Sequence, residues 1–87
     1  MIVTPVKAEL LGACRSETLL QALRGHVSAG ERSEVQAMFD NQDCMMPAEQ
    51  GLYRILKVHD GLVEIVSFSS RSATGYWAPI ASMRPVK

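Results

Sequence analysis

No stretch of this chain approaches the ~18–20 consecutive apolar residues that a membrane-spanning helix needs. Its start lacks a basic region followed by an apolar one, so no secretory leader is expected. A soluble, cytoplasmic protein with no membrane partner is therefore expected. Charge of one sign is missing too: nine Lys+Arg stand against nine Asp+Glu, whereas nucleic-acid-binding domains are usually strongly basic. Cysteine is reduced to Cys14 and Cys44. With His26 and His59 they form a nominal zinc set, but the separations of 12, 18 and 15 residues contain no close pair, and structural zinc sites recruit ligands as tight pairs. No metal and no cofactor are expected. A disulfide is disfavoured in a reducing compartment, so both cysteines read as buried, unreactive thiols.

Catalytic parts are equally scarce. Gly25 and Gly30 lie five apart with no following Lys-Ser/Thr, which excludes a phosphate loop. Cys44 and His59 could form a dyad, but nothing orients the imidazole, because Asp60 belongs to a turn. Ser69, Ser70, Ser72 and Thr74 supply hydroxyls with no nearby base. The chain is not expected to be an enzyme.

What is present is apolar content, 47% of 87 residues. That excludes a disordered tail and supports one domain over residues 1–87. The neutral total hides an asymmetry. Residues 1–50 carry four basic and seven acidic side chains (net −3), and residues 51–87 carry five and two (net +3). This reads either as internal complementarity or as a basic C-terminal face for an acidic partner.

Met1–Val3 reads as a short edge strand. Thr4-Pro5 then carries the signature of a helix start, with Val6, Leu10 and Ala13 on one side and Gly12 ending it. Ser16 offers a second N-cap before the stripe Leu19, Leu20 and Leu23, and Gly25 is the expected terminator. Ser28-Ala29-Gly30-Glu31 fits a capping box that opens a helix presenting Val35, Met38 and Phe39 and stopping near Asp40. Residues 16–40 are thus an αα-hairpin. A DNA-reading arrangement is disfavoured, because Glu31 and Glu34 stand where phosphates would sit. In the connector 41–50, Cys44-Met45-Met46 reads as a plug for the core, or as an adaptable contact surface.

From Gly51 the pattern becomes β. Leu52–His59 and Leu62–Phe68 flank Asp60-Gly61, the dipeptide of a two-residue type I′ turn. That turn sets His59 opposite Leu62, Val58 opposite Val63, Lys57 opposite Glu64, Leu56 opposite Ile65, Ile55 opposite Val66 and Tyr53 opposite Phe68. A polar loop over 69–75, a strand over 76–80, a short turn and a last extended piece at 84–86 follow. This Gly–aromatic–Pro–turn–strand ending over residues 51–87 resembles the end of an SH3-like small barrel. The expected fold is α+β: an N-terminal helical hairpin, with the helical part over about 5–41, packed on a small antiparallel sheet of three to four strands over about 51–86.

Neighbouring residues of a strand point to opposite faces, so Tyr76 and Trp77 are expected to split, one into the core and one outward. Beside a Ser/Arg loop, Arg71, Tyr76, Trp77 and Arg84, with Met45 and Met46, form the expected partner-binding set, since aromatic residues and Arg dominate binding hot spots. The expected function is a small protein-binding module, a regulator or inhibitor, that engages another protein or its own copy as a homodimer. The alternative is a nucleic-acid binder using the basic C-terminal half.

Overall fold

The computed structural model describes residues 2–6, 12–48 and 50–86. Among them run β1 (Ile2–Pro5), β2 (Ala13–Cys14), α1 (Glu17–Ser28), α2 (Arg32–Asp40), β3 (Cys44–Met45), β4 (Tyr53–His59), β5 (Leu62–Ser67), β6 (Tyr76–Pro79), a 3-10 turn (Ile80–Ser82) and β7 (Met83–Pro85). The strands form one antiparallel sheet in the order β3-β2-β6-β5-β4-β1-β7.

This corrects the expected fold. The protein is a single α+β domain, but the helices are inserted between β2 and β3, and the sheet has seven strands rather than three or four. Thr4-Pro5 does not start a helix. Val3 pairs with Tyr53 on one side and Pro85 on the other, so β1 is an interior strand, and long-range pairing overrides the local cap signal. Pro5 closes the strand opposite Met83, where its missing N–H costs least. Ala13 belongs to β2 and not to a helix face, and Leu10 lies outside the described residues. The strand, turn and last extended piece read at the C-terminus are present as β6, the 3-10 turn and β7. The likeness to an SH3-like ending does not carry over to the whole, because β6 pairs onward to β2 at Cys14–Trp77 and β2 to β3.

Ser16 caps α1 as expected, its hydroxyl accepting the Leu19 amide at 3.1 Å. Gly25, however, is helical, and α1 runs on to Ser28. The terminator is Gly30 at φ +70°. The Glu31 amide reaches His26 O (2.9 Å) and the Gly30 amide reaches Val27 O (3.2 Å), the bonding of a Schellman stop. No capping box forms either. Ser28 ends α1, Glu31 precedes α2 without a side-chain cap bond, and its carboxylate meets His26 Nδ1 at 2.8 Å.

The hairpin turn forms with Asp60 at φ +50° and Gly61 at φ +75°. The first three expected pairs also form: His59–Leu62, Val58–Val63 and Lys57–Glu64. Between Ile55 and Lys57 the register then shifts, and Ile55 faces Ile65, Arg54 faces Val66 and Tyr53 faces Ser67. The expected Tyr53–Phe68, Leu56–Ile65 and Ile55–Val66 pairs are therefore absent. One extra residue reverses the in–out parity of a strand, and here it turns Tyr53 and Ile55 toward the inner core.

That inner core gathers Val3, Ala13, Tyr53, Val63, Ile65 and Met83. Strands from both ends of the sheet order contribute, so the sheet is curled around it. The second core lies between the helices and the opposite face, where Leu20, Leu23 and Met38 meet Cys14, Cys44 and Leu62. Within it Cys14 and Cys44, facing partners of β2 and β3, are joined by a disulfide. This corrects the expectation of free thiols. The two residues are 30 apart in sequence, and the fold makes them neighbours.

Candidate functional site

A cleft of about 380 Å³ opens where β5 runs past the end of β6. Its apolar lining comes from four strands: Met45 of β3, Tyr53 of β4, Ile65 of β5 and Tyr76 of β6. Its rim is made of hydroxyls, from Ser67 and from Ser70, Ser72 and Thr74 of the connecting loop. A neighbouring cavity of about 320 Å³ shares Ser72, Thr74, Gly75 and Tyr76 and adds the guanidinium of Arg15. The pair thus offers aromatic and thioether surface, hydroxyl donors and acceptors, and one cation, a composition suited to holding a ligand in a fixed orientation.

The polar loop is held by its own side chains. The Ser72 amide donates to Ser70 Oγ (3.1 Å), the Ser72 hydroxyl donates to Thr74 O (2.7 Å), and the Arg54 guanidinium donates to Ser70 O. The loop re-enters the sheet at Gly75, whose amide donates to Glu64 Oε2 at 3.0 Å. Only glycine fits at that point, because a Cβ would lie 2.0 Å from Ile65 O. Glu64 is buried opposite Lys57 and Trp77, and its Oε1 has no hydrogen-bond partner among the described residues. Tyr53 is fixed by the Ala48 amide, which donates to its hydroxyl oxygen at 2.8 Å.

The structure brings together Met45, Tyr76 and the 69–75 loop from the expected set. It does not bring in the others. Tyr76 packs against the inner core and half-buried Trp77 against the helix-covered one, so the two rings take opposite faces and neither is fully exposed. Arg71 is exposed on the loop outside the cleft lining, Met46 is exposed beyond β3, and Arg84 sits on β7 opposite Thr4. Sequence reasoning missed Tyr53, Ile65 and Arg15. Tyr53 joins the cleft only because the β4 bulge turns it inward, and Arg15 because it follows a two-residue strand too short to show periodicity.

Of the four nominal zinc ligands, the two cysteines are bonded to each other. His26 pairs with Glu31, and His59 pairs with Glu17 at 2.6 Å with Asp60 3.5 Å away. These carboxylates hold the His59 imidazole above its ordinary value, the Glu17 hydrogen bond contributing most. Among the described residues no group of three or more potential metal ligands occurs, and no helix is long and apolar enough to cross a membrane.

The fold and cleft define a class: a small disulfide-linked α+β domain whose strands converge on a hydroxyl-rimmed cleft. Residues 6–84 match the family described as surface attachment protein Sap1-like, and the chain belongs to that family. No curated protein and no solved structure shows a significant match.

Proposed function

We propose that this chain is a non-enzymatic attachment module that seats part of a protein partner in the cleft bounded by Met45, Tyr53 and Tyr76. The observation that carries this reading is the convergence of four strands and a self-braced loop on one apolar, hydroxyl-rimmed cleft. Membership of a family named for surface attachment supports it. The core disulfide supports work in an oxidising compartment, since such bonds persist there and are rare in the cytosol.

The test is saturable binding of the fluorescently labelled domain to cells of its source, with and without nuclease treatment. Ser67 lines the cleft and is exposed, so Ser67→Trp fills the cleft without disturbing either core. Binding of the wild type, loss of at least tenfold in S67W and Y76A, and an unchanged thermal melt for S67W are expected. Full binding by S67W overturns the cleft reading. Binding that disappears with nuclease and falls steeply with salt moves the partner to nucleic acid.

A further inference from the structure

One row of paired residues crosses the sheet behind the cleft. Cys44 of β3 faces Cys14 of β2, Cys14 faces Trp77 of β6, and Trp77 faces Glu64 of β5. Successive residues of a strand point to opposite faces, so the row and its chain neighbours serve different sides of the sheet. Each member has one such neighbour in the lining of the two adjoining cavities: Met45 after Cys44, Arg15 after Cys14, Tyr76 before Trp77 and Ile65 after Glu64. The chain has two cysteines, and their disulfide is the covalent link in this row.

The β3 wall of the cleft depends on that link. β3 lies at the end of the sheet order, and its two residues pair only with Ala13 and Cys14 among the described residues. One more ladder bond, from the Arg15 amide to Asp43 O at 2.9 Å, and the packing of Cys44 with Met38 complete its attachment. The Tyr53 and Ile65 walls stand on the β4–β5 ladder, which runs from Tyr53–Ser67 to His59–Leu62. Both cysteines are buried in the core formed with Leu20, Leu23 and Met38. A reductant therefore reaches the bond when the helical hairpin lifts, an opening of one flank and not of the whole domain.

We infer that the Cys14–Cys44 bond is a redox gate on the cleft: the oxidised chain holds Met45 and Arg15 in the walls and seats its partner, and a dithiol reductant releases it. In the exchange, a thiolate of the reductant attacks one cystine sulfur and the S–S bond breaks. A mixed disulfide forms and the other cysteine leaves as a thiolate. The reductant's second thiol then displaces the first cysteine. The chain has gained two electrons and two protons as a pair of thiols, and the dithiol departs as its own disulfide. β3 is then held by its short ladder and the Met38 contact, Met45 separates from Tyr53 and Tyr76, and the β4–β5 flank stays paired. The inference rests on the cleft reading and adds its regulation. The module holds its partner where disulfides persist and lets go where thiols are kept reduced.

The experiment is equilibration of the intact wild-type chain in dithiothreitol redox buffers. Thiols are counted by alkylation and mass, Met45 methyl and Tyr76 ring signals are followed by NMR, and amide exchange is measured on the same samples. Binding to cells of the source is read in parallel, in the cold, for the oxidised wild type, S67W and C14A/C44A, the last standing for the reduced chain with no reductant on the cells. Two thiols per chain should appear together, and the Met45 and Tyr76 signals should move with them. The β4–β5 amides should keep their protection, and reoxidation should restore the starting spectrum. C14A/C44A should bind more weakly than the oxidised wild type by about tenfold or more. Met45 signals that stay in place on reduction overturn the gate and leave the bond a staple. Loss of β4–β5 protection on reduction also overturns it, because the whole domain then unfolds. Loss of binding in S67W with none in C14A/C44A sinks the gate alone, whereas full binding by S67W sinks the cleft reading and the gate with it.

Discussion

The two halves of this small molecule are held by different means. On the helix-covered flank, β2 and β3 are two residues each and their ladder alone fixes little. A disulfide and the side chains of Leu20, Leu23 and Met38 hold that flank together. On the other flank, β4, β5, β6 and β1 are four to seven residues long and wrap a continuous apolar core. Strand length substitutes there for covalent bonding. The cleft lies on the seam, with Met45 and Arg15 adjoining the two cysteines in sequence and Tyr53, Ile65 and Tyr76 contributed by the long ladders.

Breaking the disulfide is the sharpest way to separate the two. Closing a loop of 30 residues removes denatured-state entropy equivalent to about 3–4 kcal/mol. For a domain this size, the Cys14→Ala/Cys44→Ala variant should melt roughly 20 °C lower. Hydrogen exchange should show α1 and α2 losing protection first, while β4–β5 amides hold. Uniform loss over both flanks would mean that they form one cooperative unit.

A disturbance of the other flank should be somewhat smaller. Gly75→Ala drives a Cβ to 2.0 Å from Ile65 O and 2.6 Å from Val66 Cγ1, so the β5–β6 junction must shift. Overpacking of this kind costs about 2–3 kcal/mol. Exchange should speed at β6 and the 69–75 loop, with α1 protection unchanged, and binding through the cleft should fall.

These two sites also mark how far the sequence could be read. The Asp60-Gly61 turn, the Ser16 cap and the first three hairpin pairs depend on neighbours within a few residues, and all are present. The β4 bulge was not legible, because the parity of Tyr53 and Ile55 is decided by which face meets Val3 and Met83 from distant strands. Gly25 and Gly30 carry the same local stop signal, and only Gly30 takes the positive φ that ends the helix. The disulfide is disfavoured on the expectation of a reducing compartment, and nothing local in the sequence counters that, since only the fold brings Cys14 and Cys44 opposite each other. The site followed suit: Tyr76 and Met45 stood out as residue types, but their meeting with Tyr53 depends on the bulge and the curl of the sheet.

The smallest effect tests the link between the flanks. His59, at the tip of the long hairpin, bonds Glu17 in the first turn of α1 at 2.6 Å. The Glu17 hydrogen bond, then the Asp60 and Glu17 charges, raise the folded-state pKa of the imidazole above 6.5. A raised histidine pKa stabilises the fold fully below the unfolded value, and that contribution is lost as pH climbs through the folded value. The link should therefore be complete well below the unfolded value of 6.5 and fade as pH climbs through the raised folded value. Both groups are solvent-accessible, so the change in melting temperature should be slight. An NMR titration should place the His59 midpoint above 6.5, and Glu17→Gln should bring it back toward the ordinary value. Amides at the hairpin tip and the start of α1 should then shift together with pH in the wild type and independently in the variant. A His59 midpoint already at the ordinary value would mean that the flanks meet only through their cores.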